Sequence, residues 1–173
     1  RGSGTKNADG ASSANGQSAW DFALTGSGDI IGVDGLSWGA GYGEAQAGDA
    51  ANAAADLHDD VHYTGFVNYS MGGVTVGYQE SQIDKGGAGG VNETAQAWGI
   101  AFAVNDNLSI SYGEREVEHM KAAATHVTED MQGTALAYTM GSAKITLQNN
   151  ETTSNGGGTS NDEMTEIALS LSF

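Results

Sequence analysis

Cysteine is absent from the 173 residues, and so is proline. Without cysteine there is no disulfide framework, no thiolate metal site and no nucleophilic thiol. The redox compartment stays open, because an oxidising environment permits disulfides without requiring them. Basic residues are scarce: 6 Lys and Arg face 22 Asp and Glu, for a net charge of −16. That balance argues against nucleic acid and against anionic membrane surfaces as partners, and favours cations, cationic solutes or divalent bridges. No apolar run approaches the ~18 residues of a membrane-crossing helix. Mean hydropathy is −0.32, yet a transmembrane barrel shows alternation and not a continuous apolar run. Helical periodicity is scarce too. The Ala-rich segment "AGDAANAAADLHDD" has almost no large apolar residue for a buried face and reads as a loop with at most one helical turn. The opening stretch "RGSGTKNADGASSANG" has neither an initiator Met nor an apolar signal segment and reads as a flexible loop.

What the chain does have is strand alternation, in nine segments. Trp20, Phe22 and Leu24 share one face of the first. The second carries Leu36, Trp38, Ala40 and Tyr42 opposite Ser37, Gly39, Gly41 and Gly43. Val61, Tyr63, Val67 and Tyr69 define the third, with Phe66 breaking its pattern. The fourth has Val74, Val76 and Tyr78; the fifth Trp98, Ile100, Phe102 and Val104; the sixth Leu108, Ile110 and Tyr112. Leu136, Tyr138 and Met140 mark the seventh, and Ala143, Ile145 and Leu147 the eighth. The closing strand, "TEIALSLSF", sets Ile167, Leu169, Leu171 and Phe173 against Glu166, Ala168, Ser170 and Ser172.

The connections alternate in length. "MGG", "NDN" and "GS" are tight hairpin turns, and "GSGDIIGVDG" is intermediate. Between them run "EAQAGDAANAAADLHDD", "SQIDKGGAGGVNET", "EREVEHMKAAATHVTED" and "NNETTSNGGGTSNDE", all read as long acidic loops. Long loops therefore gather at one end of the sheet and short turns at the other, as in outer-membrane barrels. Aromatics sort by depth: Tyr63, Tyr78 and Tyr112 towards the loop end, Tyr69 and Phe173 towards the turn end. Two such belts around an aliphatic band suit the two interfaces of a bilayer. A soluble β-sandwich also alternates, but it needs neither the paired loop lengths nor the belts, and its core takes more Val, Ile, Leu and Phe. The expected fold class is all-β, a transmembrane antiparallel β-barrel.

These residues carry a family likeness. A last strand ending on Phe after apolar residues at every second position resembles the C-terminal signature of outer-membrane β-barrel proteins. Segments such as "WGAGYG" and "VHYTGFVNYSMGGVTVGYQES" make the chain, from Ala19 to Phe173, similar to the general diffusion porins of Rhodobacter-type alphaproteobacteria. The resemblance implies a Gram-negative outer-membrane homotrimer of 16-stranded barrels with periplasmic termini, and Phe173 as the signal read by the assembly machinery. Nine strands are an odd number, whereas single-chain bacterial barrels have an even one. The chain is therefore expected to be the C-terminal nine strands of such a barrel, with about seven strands before it. Residues 1–18 would then be the remnant of an extracellular loop.

No catalytic constellation is present. "GSG" around Ser27 lacks the context of a nucleophile elbow. The four His are scattered, "GGAGG" lacks a strand–helix unit, and "NET" at Asn92 is a common tripeptide. The expectation is a channel and not an enzyme, with no required cofactor. With apolar faces on lipid, the pore lining would be Asp21, Thr25, His62, Thr64, Asn68, Thr75, Gln79, Ser109, Ser111, Arg115, Lys144, Thr146, Gln148 and Glu166. Arg115 and Lys144 are the strand-borne cations and candidates for the basic wall that the family sets against an acidic constriction loop. They equally suit solvated rim charges, and Arg115 could pair with Glu114 and Glu116 in a loop. Asp56, Asp59 and Asp60 in "DLHDD" could offer oxygen ligands to Ca²⁺, and the resemblance implies calcium among acidic loops. Implied partners are the outer-membrane bilayer, small polar solutes and ions, further copies of the chain and the remainder of the barrel. Two other readings stay open, a non-channel structural or adhesive barrel and a secreted acidic Ca-dependent β protein.

Overall fold

The computed structural model describes residues 19–45, 59–86, 92–121 and 125–172. They form one antiparallel sheet whose nine strands pair in chain order. The strands are β1 (Ala19–Ser27), β2 (Leu36–Ala45), β3 (Asp60–Met71), β4 (Val74–Asp84), β5 (Asn92–Asn105), β6 (Leu108–Lys121), β7 (Thr125–Met140), β8 (Ala143–Thr153) and β9 (Asp162–Leu171). Short 3-10 turns follow β1 at Gly28–Ile31 and β8 at Asn155–Gly157. β1 and β9 are the two edges of the described sheet, and both run from the long-connection end to the short-turn end.

The tight turns follow from their residues. Gly72 and Gly141 take φ of 60° and 58°, which a side chain at a hairpin's first turn position would resist. Between β5 and β6 the Asn105 side chain does the work, accepting from the N–H groups of Asn107 at 2.9 Å and Leu108 at 3.0 Å.

Register then sorts the side chains. One row across the sheet pairs Ile110 with Leu136, Leu136 with Leu147, and Leu147 with Ile167. The adjacent row pairs Ser111 with Ala135, Ala135 with Gln148, and Gln148 with Glu166. The first face is thus apolar and the second polar or small. Phe66 breaks the alternation because its ring lies on the polar face over Gly39, where an added Cβ would stand 2.4 Å from the ring.

No second layer covers the apolar face among the described residues. Ile167 is 74% exposed and Leu169 64%, in company with Phe22, Leu24, Ile100, Phe102 and Leu136. The buried apolar side chains described are Ala95 and Val117 alone. In water, each uncovered Leu, Ile or Phe forgoes about 1.5–3 kcal/mol of burial, so this face requires an apolar environment from elsewhere.

One expectation is corrected. Much of what reads as long loop is strand: β6 runs to Lys121, β7 starts at Thr125, and β8 continues to Thr153. β7 has 16 residues; at ~3.4 Å each it extends about 54 Å, well beyond a hydrocarbon core of ~30 Å even when tilted. Backbone pairing does not need apolar side chains, so beyond the bilayer the ladder continues with Glu, Gln and Thr.

Candidate functional site

The polar face is the candidate site. Register places Asp21, His62, Asn68, Gln79, Ser111, Arg115, Lys144, Gln148 and Glu166 on it together. Three of them converge: Asn68, Gln79 and Ser111 line an open groove of about 380 Å³ with Thr75, floored by Ala97 and Ala101. Gln148 donates to Glu166 at 3.0 Å across β8 and β9. Asp21 and His62 lie on either side of Gly43, which pairs with both. Small neighbours leave these polar groups room to meet water.

The two cations are not brought together. Lys144, on β8, pairs with Thr139 beside the β7–β8 turn, whereas Arg115, on β6, pairs with Met131 far up β7. Eight residues of β7 separate these levels, about 27 Å at ~3.4 Å per residue. A single basic wall from Arg115 and Lys144 therefore does not form. The loop ion pair is also corrected. Arg115 is a strand residue whose Nη1 lies 3.9 Å from Met131 Sδ, and Glu114 and Glu116 belong to the opposite face. Lys121 ends β6, so Arg115 and Lys144 are not the only strand cations.

The other face carries a feature that alternation alone does not reveal. Tyr-x-Glu recurs at 42–44, 78–80 and 112–114, once on each of β2, β4 and β6. Tyr42, Tyr78 and Tyr112 each donate their hydroxyl to the Glu two residues further on. Trp20 and Trp98 donate to the same Glu44 and Glu114 from neighbouring strands, at 3.2 Å and 3.1 Å. Ring contacts join Trp20 to Tyr42, Tyr42 to Tyr63, and Trp98 to Tyr112, with centroids 5.2–5.7 Å apart. A ring on the apolar side with its polar atom bonded outward suits an interfacial belt. The belt stops after β6. Next to Tyr112 come Thr134, Asn149 and Thr165 on β7, β8 and β9, and Asn149 donates to Thr165 at 3.0 Å. The tripeptide repeat is the sequence signal that marks this belt.

Among the described residues no three Asp, Glu or His side chains come together to hold a metal ion. Asp60 accepts from the Gly86 N–H at 2.8 Å, so one of its oxygens is engaged in bracing the segment after β4. Asp59 and Asp60 do not by themselves make the expected calcium site. Asp56, Phe173 and residues 1–18 lie outside the described residues.

No protein-family model matches the chain, and no curated protein matches it either. Among solved structures, the chain is similar to in-vitro folded OmpT, an outer membrane protein of Vibrio cholerae, with a TM-score of 0.62 at 12% identity. The match covers 90% of this chain and 53% of that one, so the chain spans about half the length of its structural relative. At that identity the likeness concerns the fold alone, and the fold is that of an outer-membrane β-barrel.

Proposed function

We propose that the chain is the C-terminal nine strands of a general diffusion porin of a Gram-negative outer membrane, close to the Rhodobacter-type family. Its barrel would pass small hydrophilic solutes and ions without chemical change. The observation that carries this reading is the two-faced sheet, with exposed large apolar side chains on one side and polar or small residues on the other. Since β1 and β9 run in the same direction, pairing them with each other would be parallel. An antiparallel closure needs an odd number of further strands, and seven would make sixteen.

Planar-bilayer recording tests this. The protein, refolded into detergent and added to a bilayer, should give discrete steps of open-channel current. Insertion without steps would favour a structural or adhesive barrel, and extraction of the protein without detergent would favour a secreted β protein.

The homotrimer has a candidate face as well. On β7–β9 the outward belt is replaced by Thr134, Asn149 and Thr165, beside an apolar depression of about 540 Å³ lined by Ile110, Leu136 and Leu147. Hydrogen-bonding side chains at this level suit a neighbouring copy better than acyl chains. A single cysteine in place of Thr165 should cross-link copies in the membrane, while one in place of Val76, on the belted side, should not. Equal yields at both positions would contradict the assignment.

A further inference from the structure

The pore reading leaves one group of side chains unused. His119 and Glu129 are 8% and 6% exposed, the buried polar side chains of the described sheet. Nε2 of His119 lies 3.1 Å from Glu129 Oε2, and Nδ1 lies 3.6 Å from Glu93 Oε1. The three come from adjacent strands. Glu93 on β5 is directly opposite His119 on β6, and Glu129 on β7 is opposite the buried Val117. All lie on the polar face, above Arg115.

Their cover is a loop and not a second layer. Gly157, in the connection from β8 to β9, is itself buried, and a Cβ built on it would stand 2.9 Å from Cγ and Cδ2 of the His119 ring. The connection therefore leans inward across β7 to reach β6. It is organised as a unit. Ser154, Gly156 and Gly157 take φ of 54°, 62° and 68°. The Asn155 N–H donates to Ser160 O at 2.8 Å, and the Ser154 N–H to Asn161 Oδ1 at 3.2 Å.

We propose that Glu93, His119 and Glu129 form a latch that pins the β8–β9 connection over the polar wall and narrows the entrance on that side, with His119 as the positioning residue. A protonated ring is drawn to both carboxylates, by the hydrogen bond to Glu129 and by the charge of Glu93 3.6 Å away, whereas a neutral ring keeps the hydrogen bond alone. The seat for Gly157 is therefore held by both carboxylates when His119 is protonated and by Glu129 alone when it is not. Pinning holds at the acidic end and weakens as pH rises. The titratable groups against the ring are Glu93 from β5 and Glu129 from β7; the connection brings Gly157. The consequence for conductance rests on the pore reading; the pinning does not.

Hydrogen exchange of the 154–161 segment, in the full chain folded in lipid vesicles, tests the pinning. After correction for intrinsic rates, protection should fall severalfold from the acidic to the alkaline side of neutrality. His119→Gln should exchange at one corrected rate across that range. Gly157→Val, which has no room for its side chain, should be about tenfold faster at both ends. The β3–β4 turn serves as the internal control and should not respond. A wild-type segment whose protection ignores pH would overturn the latch even if neither variant folds, as would a His119→Gln profile like that of the wild type. In bilayers, wild-type conductance should rise towards the higher pH and that of His119→Gln should not. Exchange that behaves as stated in a protein giving no channel would sink the pore reading and leave the latch standing.

Discussion

Replacing Leu136 by Arg is expected to cost about 2–4 kcal/mol of folding free energy in a bilayer. Ser111→Arg, one register position away, should cost less than about 1 kcal/mol. Leu136 pairs with Ile110 and Leu147 in the middle of the apolar row. A guanidinium there must either enter hydrocarbon or stretch towards an interface, and the centre of the band is the worst place for both. Ser111 pairs with Ala101 and Ala135 on the polar face, where an Arg finds water and small neighbours. Denaturant titration of the protein folded in vesicles measures both. Equal costs at the two positions would remove the distinction between the faces on which the account depends.

The second large effect concerns ions. We predict that the channel prefers cations, and that Lys144→Glu strengthens the preference about two- to threefold in the permeability ratio. A unit charge ~8 Å from a passing ion in water is worth about 0.5 kcal/mol, and reversing its sign about twice that before salt screening reduces it. Lys144 is one of two described basic side chains on the polar face, which also carries Asp21 and Glu166. Because Arg115 stands far above Lys144, each should act locally, and Arg115→Glu should add to Lys144→Glu and not substitute for it. Reversal potentials in a salt gradient measure this. An anion-selective sign for the wild-type channel would contradict the prediction.

The fold was largely legible because its signal is local. Trp98, Ile100, Phe102 and Val104 alternate within β5, and Asn105 to Asn107 make their turn with their own side-chain and backbone groups. Strand ends were less legible. Above the belt the outer face of β6 meets water, so nothing apolar on that face marks Glu116 or Glu118 as strand, and the backbone ladders with β5 and β7 hold them there. On the site, alternation was enough to put Gln148 and Glu166 on one face, because register in a two-residue repeat is all that requires. The separation of Arg115 from Lys144 depends on how hairpins of unequal length stack, which the spacing of the two residues does not disclose. The His119 group was hidden for a similar reason. It joins three strands and the β8–β9 connection, and its residues lay in segments read as loops.

The most direct test is thiol accessibility along β7, which a cysteine-free chain permits without background. Single cysteines at each position from Gly133 to Tyr138, in protein folded in vesicles, would be exposed to a membrane-impermeant maleimide. The account predicts a two-residue rhythm: reaction at 133, 135 and 137, and protection at 134, 136 and 138. Protection in the opposite phase, or uniform reaction at all six, would contradict a sheet with lipid on one side and water on the other.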